Sequence, residues 1–260
     1  MKDKIMTFFV IKDENPLDKM CGFLQNYGHT CPITDLKDNH TTFLRDLSYL
    51  KFIKNTKKYV AVIVPFEFKG LKLPDNVRVI YVNDVDYAFT IFHNHIYRRA
   101  KPKRNKIGRG CRIHPSVIIG VEGIKFANAP DGRKIQFIHT GDVVIENNVE
   151  IGANSIIHRG SMGSTIIKSG VKIGVMINIG HNNIIGENTI VVGGTITSGS
   201  VTVGKNCWLC AGTLIRNGVS ICDNVIIGMG SMVLKDITDP GIYFGRPAVR
   251  MGDYIEDFNM

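Results

Sequence analysis

His181 is the residue of this 260-residue chain whose surroundings best suit a chemical task. It stands in Ile179-Gly180-His181-Asn182-Asn183, with Gly199 eighteen positions on and Asn217 eighteen beyond that. If those three stack, an imidazole lies beside a backbone N–H that no side chain obstructs. Acyl transfer needs those two parts, a base for the proton of an attacking amine and a donor for the tetrahedral oxyanion. A neutral imidazole suits the first role near pH 7. The plain alternative is a surface histidine with no task. His158, beside Arg159, is the second candidate, and His114 and His139 rank lower. Cys207-Trp208-Leu209-Cys210 forms a CxxC, which elsewhere binds zinc or carries redox chemistry. No second CxxC accompanies it, and both cysteines fall where small residues are wanted, so no metal is expected.

The stacking follows from a beat of six. Stepping by six from Ile167 gives Ile173, Ile179, Ile185, Val191, Thr197, Val203, Leu209, Ile215, Ile221, Ile227 and Val233. All are aliphatic except Thr197, which is still β-branched. A period of six fits neither an α-helix nor a plain strand. It marks a hexapeptide β-solenoid, each hexad a short strand and a turn, with three hexads per triangular coil. The fold class expected is therefore mainly β, a left-handed parallel β-helix preceded by a small α/β domain. A solenoid interior is filled by side chains, so chemistry belongs on its outside or between chains.

The beat also divides the chain. Residues 1–100 form the α/β domain, with strands expected over Met6–Ile11, Tyr59–Pro65 and Val77–Val82. Asn83 or Asp84 caps a helix carrying Val85, Ala88, Ile91, Phe92 and Ile96 at helical spacing. His93 and His95 lie two apart on it and read as partly exposed. Residues 101–106 are a basic linker around Pro102. The beat starts at Ile107, fails over 121–143, returns at Ile145, and slips between Ile157 and Ile167, a ten-residue step where twelve would keep phase. The failure reads as an excursion with a turn at Pro130-Asp131-Gly132, and loops leaving a rigid solenoid tend to carry binding surfaces. The β-helix runs over 107–240, and 241–260 form a tail.

A formal charge of +9 favours anionic partners such as phosphates, nucleotides or an acidic carrier protein. Nucleic acid fits poorly, because no aromatic residues alternate with the linker charges to stack bases. The run Ile5 to Ile11 is followed by Lys12-Asp13-Glu14-Asn15, not by a cleavage site, and reads as a strand. No apolar run reaches membrane-spanning length. A cytoplasmic protein without stable membrane insertion is expected.

Gly120 to Gly241 resembles the bacterial UDP-3-O-acylglucosamine N-acyltransferases of lipid A synthesis, which are left-handed β-helix hexapeptide transferases. The matching pieces are Phe126-Ala127-Asn128, Val149 to Ala153 with Arg159-Gly160, Gly180-His181-Asn182, Ser198-Gly199-Ser200, Ile221-Cys222-Asp223, and Ile237 to Tyr243. The N-terminal unit matches more faintly, through Asp46 to Leu50 and Tyr59 to Val64. The resemblance implies a homotrimer with active sites between neighbouring solenoids, His181 as general base and the Gly199 N–H at the oxyanion. It implies nucleotide binding by the N-terminal unit, with Tyr49 stacked on the base and Phe52 beside it. Phe126, Asn128, His158, Arg159 and Asn182 are its further substrate-binding candidates, and Asn217, Gly218 and Arg246 its acyl-donor candidates. The family's carboxylate seven residues before the histidine is Gly174 here, its second histidine falls on Gly218, and early coils and a C-terminal extension are missing.

From those departures we expect an N-acyltransferase moving a short acyl group from a thioester, acyl-CoA, to a UDP- or dTDP-linked amino sugar for surface polysaccharide. The alternative donor is a hydroxyacyl carrier protein, with the lipid A pathway enzyme as the alternative activity. A zinc carbonic anhydrase on the same solenoid would need a His-x4-His pair, and position 186 is glycine. The non-enzymatic rival is a scaffold or anion-binding solenoid.

Overall fold

The computed structural model describes residues 8–11, 16–100 and 103–254. The beginning of the expected first strand (Met6), Lys101 and Pro102 of the linker, and residues 255–260 of the tail lie outside the described residues. The chain divides into two compact units, one of 8–100 with Ile124–Ile138, the other of 103–123 with 139–254.

The first unit is a five-stranded parallel sheet of β1 (Phe8–Ile11), β2 (His29–Thr30), β3 (His40–Phe43), β4 (Val60–Pro65) and β5 (Val77–Val82), ordered β1-β5-β4-β3-β2. Helices α1 (Leu17–Phe23), α2 (Leu50–Lys54) and α3 (Val85–Tyr97) accompany it. Central β4 is fully buried from Val60 to Val64, as a strand covered on both faces must be. Asp84 caps α3, its carboxylate accepting the Tyr87 N–H at 2.8 Å. Strand β3 had no apolar signature, because Thr41 and Thr42 fill its buried positions.

His93 departs from the sequence reading. His95 is exposed, but His93 is wholly buried, held between the Thr30 hydroxyl at 2.6 Å and the Ile138 carbonyl at 2.9 Å. Its ring stacks on Phe137 with centroids 4.1 Å apart. The excursion supplies both Phe137 and Ile138. It folds as an antiparallel hairpin of Phe126–Asn128 with Lys134–Gln136, turning through Gly132 at φ +84°.

The second unit is the left-handed parallel β-helix expected. Its first face stacks strands containing Ile107, Ile145, Ile167, Ile185, Val203 and Ile221. The second face carries Ile113 to Ile227 and ends on the hairpin Gly241–Gly245 with Ala248–Gly252. The third carries Ile119, Ile157, Ile179, Thr197, Ile215 and Val233. From Ile145 and Ile157 upward these inward residues are at most 3% exposed and form one continuous core. Corners need left-handed backbone, and Asn148, Asn154, Asn182, Asn188, Asn206 and Asn224 supply it at φ +55° to +59°.

The second break in the beat resolves differently from the sequence reading. Ile145 pairs with Ile167 twenty-two positions on, whereas later coils pair at eighteen. The ten-residue step from Ile157 to Ile167 is therefore one ordinary side plus four inserted residues, not a shortened pair of sides. A corner absorbs extra chain because only the strands face the core. The excursion, this insertion and His181 all leave the same edge of the prism, between the third face and the first.

Cys207 and Cys210 are buried at 2% and 0% exposure, and burial pushes the Cys207 thiol up to about 11. The folded state thus holds that proton more tightly than the unfolded chain, whose thiol ionises near 9. The associated stabilisation is whole below pH 9 and lost as pH rises through 11, up to about 3 kcal/mol. Chemical denaturation across that window should show the wild-type losing stability more steeply than Cys207→Ala. Parallel curves would mean the thiol is not shielded.

Candidate active site

The corner carrying His181 is fastened from the coil above by the one residue that breaks the aliphatic run. Thr197 points inward at 1% exposure, and its hydroxyl accepts from the Gly180 N–H at 3.2 Å and the Asn183 amide at 2.5 Å. Asn183, itself fully buried, accepts the Val201 N–H at 2.6 Å. One coil below, the Thr165 hydroxyl takes the Asn182 N–H at 2.9 Å. The turn Gly180 to Asn183 is therefore held from the coil on each side.

On that turn the His181 Nδ1 lies 3.0 Å from the Asn182 Oδ1. The same oxygen accepts the Ser161 N–H and the Ser161 hydroxyl, each at 2.9 Å. A backbone N–H only donates, which identifies the acceptor as oxygen and makes Nδ1 the protonated ring nitrogen. In the neutral ring the lone pair then belongs to Nε2, the form a general base requires. It is also the atom packed against Gly199, where a methyl group would sit 2.3 Å from Nε2. The Gly199 N–H donates to no described residue, so an imidazole and such a donor stand side by side. The orienting role that Gly174 cannot supply falls to an amide held by the four-residue insertion.

The other expected residues divide between the units. Tyr49, Phe52, Phe126 and Asn128 belong to the first. Tyr49 is 45% exposed and stacks near Phe52, centroids 6.3 Å apart, leaving ring surface open. Phe126 is exposed on its hairpin, and Asn128 accepts from the Lys134 ammonium. In the second unit, Asn182 spends its oxygen on His181 and Ser161, so its place is behind the imidazole. Arg159 is buried, its guanidinium donating to the carbonyls of Gly120 at 2.5 Å and Gly141 at 3.4 Å. It pins both ends of the excursion, a structural task where substrate binding was expected. His158 is half-buried and bonds the Glu122 carbonyl at 3.1 Å.

Asn217 and Gly218 sit exposed one coil above Gly199, the Gly218 N–H donating to the Gly199 carbonyl at 3.0 Å. Arg246 does not join them within the chain. Its Nε donates to the Gly230 carbonyl at 2.6 Å, at the corner between the second and third faces. His139, ranked low in the sequence, lies edge-on to His181 with centroids 5.6 Å apart and planes at 77°. Lys125 was missed altogether. Its ammonium rests over Phe137 at 4.2 Å and Phe43 at 5.4 Å, and burial lowers its pKa. Nothing in a lone lysine of an irregular loop announces that. Among the described residues no three His, Cys, Asp or Glu side chains group to hold a metal ion, and no helix is long and apolar enough to cross a membrane.

Comparison with known proteins bears on this site. Residues 200–235 match the family model for the bacterial transferase hexapeptide (six repeats). The chain is 40% identical over 139 residues to the UDP-3-O-acylglucosamine N-acyltransferase of Herminiimonas arsenicoxydans, covering 54% of this chain and 39% of that protein. It is 39% identical over 148 residues to a probable mitochondrial UDP-3-O-acylglucosamine N-acyltransferase 2 of Arabidopsis thaliana, covering 57% and 49%. A solved UDP-N-acetylglucosamine acyltransferase from Bacteroides fragilis is 24% identical, covering 58% of this chain and 56% of that one at a TM-score of 0.49. The resemblance read from the sequence stands, and the matches span less than half the length of these two curated relatives.

Replacing Thr197 with isosteric valine removes the acceptor for two donors, one on a fully buried side chain. We expect a loss of about 1–3 kcal/mol in denaturant unfolding, larger than a Val→Thr change would cost at an outward position. An unchanged midpoint would mean the corner does not depend on that hydroxyl.

Proposed function

We propose that the chain is an N-acyltransferase acting on the amine of a nucleotide-linked amino sugar. The observation that carries this reading is the packing of the His181 Nε2 against Gly199, whose N–H donates to no described residue. In the reaction the sugar amine attacks a thioester carbonyl while Nε2 takes its proton. The tetrahedral oxyanion accepts the Gly199 N–H, and collapse expels the thiolate, which the imidazolium or solvent reprotonates. An electrostatic donor of this kind is worth about a hundredfold or more in turnover. The exposed Tyr49 ring is offered to the nucleotide base, and the active unit is a homotrimer.

The names of the relatives support a 3-O-acylated, UDP-linked glucosamine as acceptor, and the resemblance pairs that acceptor with a hydroxyacyl carrier protein as donor in place of short-acyl coenzyme A. The test is mass spectrometry of products from UDP- and dTDP-amino sugars, each offered acyl-CoA or hydroxyacyl carrier protein. We expect turnover of UDP-3-O-acylglucosamine with the carrier protein; turnover confined to short acyl-CoA would restore the other donor. His181→Ala should cut kcat by about a hundredfold or more with the fold retained. In Gly199→Ala the new methyl meets the imidazole, and a comparable loss is expected. Undiminished activity in both would leave a binding scaffold as the better account.

A further inference from the structure

His139 is 1% exposed, and its ring meets His181 edge-on. Both rings border one α-carbon. A methyl group on Gly123 would lie 2.9 Å from the His181 Cδ2 and 3.1 Å from the His139 Nε2. Gly123 and His139 are the two ends of the excursion where it leaves and rejoins the coil. Burying an imidazole costs more than burying a phenyl ring or leucine of similar bulk, so packing alone would favour those.

The same loop grips both histidines. The Ser161 carbonyl accepts the Thr140 N–H at 2.8 Å and the Thr140 hydroxyl at 3.3 Å, fixing the residue after His139. Its N–H and hydroxyl hold the Asn182 oxygen that fixes the His181 Nδ1. Gly141 is tied to the loop as well, its N–H donating to the Gly160 carbonyl at 3.1 Å. A methyl group on Gly141 would come within 1.9 Å of the Gly163 carbonyl oxygen, so the segment after His139 has no room to shift toward the loop.

We propose that His139 is a positioning residue for the His181 base, its ring walling the imidazole flank so that Nε2 keeps facing Gly199 in both protonation states. Asn182 restrains the ring at Nδ1, and the His139 ring borders it on the flank. The edge-on ring at 5.6 Å, with Gly123 packed against both imidazoles, limits how far the His181 ring can turn on that side. Displacing a reacting group by about 1 Å costs as much as a hundredfold in rate. The inference rests on the acyl-transfer reading and adds to it a residue that does not touch substrate.

The test compares His139→Ala, His139→Leu and His139→Phe with His181→Ala. We expect His139→Ala and His139→Leu to lower kcat about tenfold with KM for both substrates unchanged, and His139→Phe to restore most of it. Should the alanine variant fail to fold, the leucine variant, which keeps the bulk without the flat ring, carries the comparison. A readout independent of substrate is the two-bond ¹H–¹⁵N NMR pattern of the His181 ring, expected sharp and Nδ1-protonated in wild-type and averaged in His139→Leu. Wild-type kcat and an unaltered ring pattern in His139→Leu would overturn the proposal, as would a rise in KM without a fall in kcat. If His181→Ala is inactive while His139→Leu is unimpaired, only this inference falls; if His181→Ala is fully active, the acyl-transfer reading itself falls.

Discussion

The structure depends on inward side chains stacking coil upon coil. Each interior aliphatic of the regular run packs on the residue eighteen positions before it and the one eighteen after, and burial of that column is what makes the prism rigid. Rigidity inside permits irregularity outside. Corners tolerate asparagine in left-handed backbone, a four-residue insertion and a whole hairpin, because none of these alters which residue faces the core. Chemistry then needs no dedicated framework. It needs a polar group at one corner and room at the corner above, and His181 under Gly199 provides both.

Much of this was legible in the sequence because period six has one structural meaning. The coil, its starting point at Ile107 and the alignment of His181 with Gly199 all follow from counting. What counting could not supply is lateral. Thr197 counted only as an imperfect aliphatic, although its hydroxyl holds two donors of the corner that carries the imidazole. Ser161 lies in the insertion, twenty-one positions from Asn182, outside any fixed spacing. Arg159 was a substrate candidate through the family resemblance, yet two backbone carbonyls claim it.

The α/β unit shows the same boundary. Its aliphatic strands β4 and β5 announced themselves, whereas β3 hid behind two buried threonines, of which Thr41 satisfies its hydroxyl on the Tyr27 carbonyl at 3.0 Å. His93 misled for the converse reason. A polar residue on a helix normally faces water, but here a hydroxyl and a carbonyl arrive from distant segments to satisfy both ring nitrogens. Such partners are set by tertiary folding, and no window of local sequence contains them.

His181 leaves the third of six coils, with two tiers under it and three over it. A linear stack frays from its tips, since an end tier has a neighbour on one side only. Thermal unravelling from either tip must therefore consume whole tiers before it reaches the imidazole. The most ordered place in such a filament is its middle, and that is where the histidine stands.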